Sequence, residues 1–238
     1  QDERLAYAME DLFYQLIIKL HELGEVKFEN MFVDGTKIEA NANRYTFVWA
    51  KAVKKNMDKL TTKTEMLFSS LCDIYAVDCD TPEELYENLV LRASELNIEF
   101  VYGRGKRKNQ LQRDIENLGE LLERKYKYID YLDKLGHRNS FSKTDVDATF
   151  MRMKDDHMMN GQLKPGYNAQ IGVESEYIIG VGLFPNPTDV QTLIPFLNRV
   201  QTGIKRKIAN VIADAGYESE ENYTYLAENN QGCYIKPQ

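Results

Sequence analysis

Met31-Phe32-Val33-Asp34-Gly35 is an apolar run that ends in an acid and a glycine, and Val211-Ile212-Ala213-Asp214 is a second apolar run ending in an acid far along the chain. Short apolar runs of this kind read as strands buried in a sheet, so each sets a carboxylate where a buried strand emerges. Working outward from the first run, Val26 to Asp34 alternates in part, and a second short extended stretch passes through Ile38 and Ala40. Upstream of the second run, 167–173 and 177–184 are strand-like and are separated by Glu174-Ser175-Glu176, which predicts a hairpin. Thr188-Asp189 is placed to cap a helix carrying Leu193, Ile194, Phe196, Leu197 and Val200. After Asp214, Ser219 caps a helix to about Asn229, and 232–235 makes a last strand.

Between the first and second of these strands the apolar period becomes helical. Residues 51–71 read as one helix, and Thr81-Pro82-Glu83-Glu84 supplies an N-cap, a proline at the first helical position and an acid at the third for another. Leu111, Ile115, Leu118, Leu122, Lys125, Ile129 and Leu132 then repeat at steps of four and three, a heptad stripe broken once by a lysine. Near the start, Leu5, Met9, Leu12, Phe13, Leu16, Ile17 and Leu20 have helical spacing, with Gly24 as a stop. With the helical block set aside, the order is strand, strand, strand, helix, strand, helix, strand. That is the ribonuclease H-like order: an α/β fold whose mixed sheet, flanked by helices, places the first strand beside the strand after the first helix. Asp34 and Asp214 then meet. The organisation expected is the end of a helical N-terminal region at 1–24, a ribonuclease H-like domain from 25–49 and 137–238, and an all-helical insertion at 50–136.

Composition narrows the function classes. Thirty Lys and Arg against 37 Asp and Glu give a net charge of −7, which excludes a chain that coats nucleic acid through its global field, so any DNA contact is local. The three cysteines, Cys72, Cys79 and Cys233, form no CxxC pair, which speaks for a reducing compartment rather than a disulfide framework or a zinc site. There is no apolar run near membrane-spanning length and no signal-peptide layout, so a cytoplasmic protein with no membrane partner is expected. The chain opens without Met inside a helical pattern and stops at Lys236-Pro237-Gln238, and a piece of a longer protein is expected.

Two strand-end aspartates are suited to hard divalent cations, which take one or two carboxylates and complete their shell with water and phosphate oxygens. Two such ions can activate the attacking oxygen and stabilise the leaving one in phosphodiester chemistry. Asp34-Gly35 is also a common turn pair, and that reading stands beside the catalytic one. The surrounding residues add a resemblance. Phe32-Val33-Asp34-Gly35-Thr36-Lys37-Ile38-Glu39-Ala40, continuing to Trp49, resembles the first-aspartate block of bacterial DDE insertion-sequence transposases, in particular the insertion sequence eleven-eighty-two group of the insertion sequence four/five superfamily. Ile212-Ala213-Asp214-Ala215-Gly216-Tyr217-Glu218 is similar to their second-aspartate block. Asp145-Val146-Asp147-Ala148-Thr149-Phe150-Met151 and Leu163-Lys164-Pro165-Gly166-Tyr167-Asn168-Ala169-Gln170 resemble the stretch leading into the second strand.

The resemblance implies a triad of two Asp and one Glu, two magnesium ions with manganese as a substitute, and DNA transposition by strand cleavage and transfer. Asp34 and Asp214 match the first two acids as catalytic and metal-binding residues. The family's Glu lies in a later helix within a Tyr, Arg, Glu, Lys signature, and no Arg follows Arg206, so an incomplete triad with little activity of its own is expected. Glu218, Glu220 and Glu221 are too near Asp214 for that role and suit the start of the next helix. The alternatives are a non-catalytic DNA-binding or oligomerisation remnant and a nuclease without strand transfer. The implied partners are double-stranded DNA, as transposon ends and target, and further copies of the full-length chain.

Candidate phosphate contacts are Lys51 and Lys55, which recur with Lys59 and Lys63 every four residues, and Arg104, Lys106, Arg107 and Lys108, uninterrupted by acids. A solvated helix face explains the lysine spacing as well. Arg44 and Lys37 follow Asp34 and either approach a phosphate or pair with Glu39. Asp145 and Asp147 read as outer acids or as loop caps, Asp155-Asp156-His157 has metal-ligating atoms in a Met-rich stretch, and Asn186 and Asp189 belong to the rim of the site unless Asp189 is an N-cap.

Overall fold

In the computed structural model, which describes residues 2–103, 105–153 and 161–237, the run that opens at Asn30 forms a single strand, β1 (Asn30–Glu39). It continues through Asp34 and absorbs the second extended stretch expected near Ile38. The reason is its neighbour: β5 (Leu163–Glu174) pairs antiparallel with it from Phe32↔Val173 to Glu39↔Gly166, so the backbone at Asp34-Gly35 is held extended and no turn forms there. On the other side β7 (Asn210–Ala213) runs parallel to β1, from Asn30↔Asn210 to Val33↔Ala213, and β8 (Gly232–Ile235) runs parallel to β7. β6 (Tyr177–Phe184) and β4 (Thr149–Arg152) both pair antiparallel with β5. The result is a six-stranded mixed sheet.

The chain divides into two compact units, 1–47 with 141–238, and 48–140. In the first unit the sheet carries α1 (Asp2–Glu22), α5 (Leu193–Ile204) and α6 (Glu220–Glu228). Met31 and Val33 of β1, Val211 of β7 and Ile235 of β8 share a core with Phe196 and Val200 of α5 and Leu226 of α6. Alternate side chains point to the other face of the sheet, where Phe32, Val181, Leu183 and Tyr234 are exposed. α1 packs through Tyr14 and Ile17, whereas Leu5, Met9, Leu12 and Leu16, expected on its apolar face, are exposed. Spacing marks an apolar stripe without fixing which side is covered, and the buried side of α1 is the one that meets α5.

A buried carboxylate sets the entry to β1. Glu174, at the end of β5, is 4% exposed and accepts four successive backbone N–H groups, from Lys27 (3.2 Å), Phe28 (2.7 Å), Glu29 (2.6 Å) and Asn30 (2.9 Å). The chain bends to do this, and Phe28 takes a left-handed conformation with φ 61 while its ring is buried. The hairpin after Glu174 turns at Ser175 (φ 51) and Glu176 (φ 69), the two consecutive positive φ values of a type I′ turn.

The second unit contains α2 (Ala50–Tyr75), α3 (Pro82–Glu95) and α4 (Gln110–Leu135). Leu71, Leu85, Leu89, Ile115, Leu118 and Leu122 form its core. Thr81 caps α3 by accepting from Glu84 N, and Pro82 opens the helix, as the sequence predicts. Lys125, which interrupts the heptad stripe, pairs with Glu83 on α3 at 2.7 Å. Beyond it the stripe leaves the core: Ile129 is exposed and Leu135 is buried instead. Two short strands, β2 (Phe47–Trp49) and β3 (Ser140–Ser142), form a separate ladder. Among the described residues no helix is long and apolar enough to cross a membrane.

Replacing Glu174 by Gln exchanges one carboxylate oxygen for an N–H donor that faces backbone donors. Hydrogen bonds to a buried charged acceptor are worth about 1.5–3 kcal/mol each, and Glu174→Gln is expected to lower stability by about 3 kcal/mol, measured as a fall in the urea midpoint.

Candidate functional site

Asp34 and Asp214 come together because their strands do. Val33 and Ala213 are register partners in the parallel β1–β7 pair, and the two acids are the next residues of each strand. Each carboxylate is steadied by its own backbone: Asp34 Oδ1 accepts from Gly35 N at 2.7 Å, and Asp214 Oδ1 accepts from Gly216 N at 2.8 Å. Both side chains are exposed. They open onto a cavity of about 650 Å³ whose walls include Phe32, Ile171, Ile212 and Lys236. Neither acid has a basic partner within ion-pair distance among the described residues.

Behind this pair lies a polar network inside the sheet. Asn168 and Gln170 occupy alternate positions of β5 and are fully buried. Asn168 Nδ2 donates to Asp189 Oδ1 at 2.7 Å, and Gln170 Nε2 donates to the same oxygen at 3.1 Å and to Asn168 Oδ1 at 2.9 Å. The Tyr217 hydroxyl, also buried, donates to Gln170 Oε1. Burial, and then the charges of Asp189, Asp34 and Asp214, push the Tyr217 pKa upward, so the phenol stays protonated and remains a donor. Gly35 and Gly216 leave room for this arrangement. A Cβ at Gly35 would lie 2.3 Å from Gln170 Nε2, 2.9 Å from Asp189 Oδ1 and 3.0 Å from the Tyr217 hydroxyl.

The sequence places Asp189 at the rim of the site or as the N-cap of the following helix. Its side chain does not cap: it turns to the buried amides of β5, a short 3-10 turn spans Asp189–Gln191, and α5 begins only at Leu193. The amides carried the missed signal. Asn168 and Gln170, two residues apart in the strand, place two polar side chains on one face, and buried polar groups of that kind need a partner.

The other candidates are dispersed. Arg44 is exposed in the loop after β1, with its guanidinium 5.0 Å from the Tyr45 ring centroid. Glu39 pairs with Lys164 at 2.6 Å, which replaces the expected pairing with Arg44 or Lys37. Asp145 accepts from the Tyr167 hydroxyl at 2.8 Å and from Ala148 N at 3.3 Å, a loop-bracing role. In the helical unit, Lys51 and Lys55 lie exposed on α2, Lys106 and Arg107 lie exposed before α4, and Lys108 is engaged by Glu116. Arg104 and Asp155-Asp156-His157 fall outside the described residues. Among the described residues no group of three or more His, Cys, Asp or Glu is arranged to hold a metal ion.

Residues 138–238 match the transposase DDE domain family. The match supports a DDE transposase. It spans β5, the buried amides, Asp189 and Asp214, while Asp34 precedes it. DDE transposase domains generally use divalent metals and act on DNA, and the oxygens of Asp34 and Asp214 are of the kind that hard divalent cations take. No curated protein matches the chain.

Gly35 has no space for a methyl group against the network. Gly35→Ala is expected to lower stability by about 2 kcal/mol through overpacking, read from chemical denaturation followed by far-UV circular dichroism.

Proposed function

We propose that the first unit is the ribonuclease H-like catalytic core of a DNA transposase of the insertion sequence eleven-eighty-two group, and that residues 50–136 are a helical insertion in it. The adjacency of Asp34 and Asp214 across the parallel β1–β7 pair carries this reading. The pair fits a hard divalent cation such as magnesium. Its donors are carboxylate oxygens, each held by one backbone N–H through Oδ1, and among the described residues no lysine or arginine pairs with them. Bound there, magnesium or manganese would supply an activated nucleophile and charge stabilisation for phosphodiester cleavage and strand transfer.

The chain's own residues do the rest. The β1–β7 register keeps the two acids side by side, and the Gly35 and Gly216 amides orient one oxygen of each. Lys236, on the same cavity, offers an ammonium to a phosphate. Lys51, Lys55, Lys106, Arg107 and Arg44 are exposed cations suited to the sugar-phosphate backbone of double-stranded DNA, while Lys108 must first release Glu116. The full-length protein acts in the cytoplasm as an oligomer on transposon ends and target. A second reading, a DNA-binding or oligomerisation remnant without catalysis, is favoured by the lack of a third ligating acid among the described residues.

Manganese titration separates the two. Asp34→Asn and Asp214→Asn are each expected to weaken binding by at least about tenfold, in line with the loss of a carboxylate ligand. Manganese affinity untouched by both substitutions overturns the catalytic reading. For the phosphate contacts, Lys106→Gln with Arg107→Gln is expected to flatten the salt dependence of duplex binding by about one to two units of log–log slope.

A further inference from the structure

The network behind the acid pair holds a third carboxylate in an unusual position. Asp189 is half-buried, and its Oδ1 is locked between the Asn168 and Gln170 amides. Those amides are neutral and come from fully buried residues, so they orient the carboxylate without cancelling its charge. The locking is directional. If the Gln170 amide were reversed, its carbonyl would face Asp189 Oδ1, and the Tyr217 hydroxyl would lose the oxygen to which it donates.

The second oxygen lies on the side of Asp214. A point at the position of a Gly216 Cβ lies 2.9 Å from Asp214 Oδ1 and 3.5 Å from Asp189 Oδ2, and a Gly35 Cβ would lie 2.9 Å from Asp189 Oδ1. Glycine at both positions lets Asp189 approach the backbone that carries Asp34 and Asp214. Three like charges are thus gathered at one end of the β1–β7 pair, and no ion pair neutralises any of them among the described residues. In a partly desolvated setting such charges interact far more strongly than in water.

We propose that Asp189 is a positioning residue of this site that raises its divalent-cation affinity by charge, with Oδ1 committed to the amide network. The inference rests on the reading of Asp34 and Asp214 as metal ligands. It explains why an acid, rather than an amide or a hydroxyl of equal hydrogen-bonding capacity, accepts from Asn168 and Gln170. It also agrees with the finding that no set of three side chains is arranged as ligands among the described residues. The Tyr217 phenol, whose ionisation all three acids oppose, reports the same field.

A charge role and a purely structural role predict opposite signs. Asp189→Asn keeps an oxygen for both amide donors and removes the charge, whereas Asp189→Glu keeps the charge on a longer arm. The test measures manganese affinity by the electron paramagnetic resonance signal of free Mn²⁺, together with metal-free melting temperature, for the wild type, D189N, D189E and D34N. D189N is expected to bind manganese about tenfold more weakly, the usual scale for an outer-shell partner, and to melt without metal at or above the wild-type temperature. D189E is expected to stay within about threefold of wild type, since its charge is retained at similar range. Unchanged affinity in D189N alongside loss in D34N overturns the role of Asp189 while leaving the acid pair standing. Equal losses in D189N and D189E, or a D189N that unfolds without metal, also overturn it, because shape rather than charge would then be what matters. Manganese binding indifferent to D34N as well is the separate failure of the acid-pair reading, and the inference falls with it.

Discussion

The carboxylate of Glu174 is the constraint on which the rest of the first unit depends. Four consecutive backbone N–H groups converge on its two oxygens, so the chain from Lys27 to Asn30 enters the sheet at one height relative to β5. A strand that slips by one residue sends every side chain to the opposite face. Here a slip would bring Phe32 into the core, expose Met31 and Val33, and turn Asp34 away from its cavity. The hydrophobic alternation of β1 resists that slip, and Glu174 resists it independently at the end of the strand. The same register then passes from β1 to β7 and sets Asp214 beside Asp34.

The site has two layers with different physical characters. In front, Asp34 and Asp214 are exposed, each oriented by a single local backbone hydrogen bond. Behind, Asn168, Gln170, Tyr217 and Asp189 are linked by side-chain hydrogen bonds, and three of the four are fully or almost fully buried. A buried polar network is stable only when its members are satisfied, and this one is closed through the carboxylate. Gly35 and Gly216 separate the layers at close range, which is why a single methyl group at Gly35 reaches three polar atoms.

Much of this was legible in the sequence where local chemistry and tertiary packing agree. The strand runs around Asp34 and Asp214, the hairpin at Glu174-Ser175-Glu176 and the caps at Thr81 and Ser219 all stand where the residues put them. The failures arise where a distant partner decides. Asp34-Gly35 also reads locally as a turn pair, but pairing with β5 from Gly166 to Val173 holds it extended. Thr188-Asp189 reads locally as a cap, but two buried amides some twenty residues earlier draw the side chain away. On α1, spacing marks an apolar face without showing which side meets α5, so Leu5, Met9 and Leu12 were expected inside and are exposed. The four N–H groups on Glu174 left no trace at all, because a glutamate beside a turn has no pattern that distinguishes it from a solvated one.

The pairing of β1 with both β5 and β7 also orders events in time. β1 leaves the ribosome early, yet each of its neighbours is encoded more than a hundred residues later, after all of α2, α3 and α4. Those helices pack through contacts of shorter range and can fold while the sheet is still incomplete. Asp34 therefore remains without its partner strand until the segment through Asp214 has been synthesised. A nascent chain, or one truncated by a stop before β7, carries the first acid but not the pair.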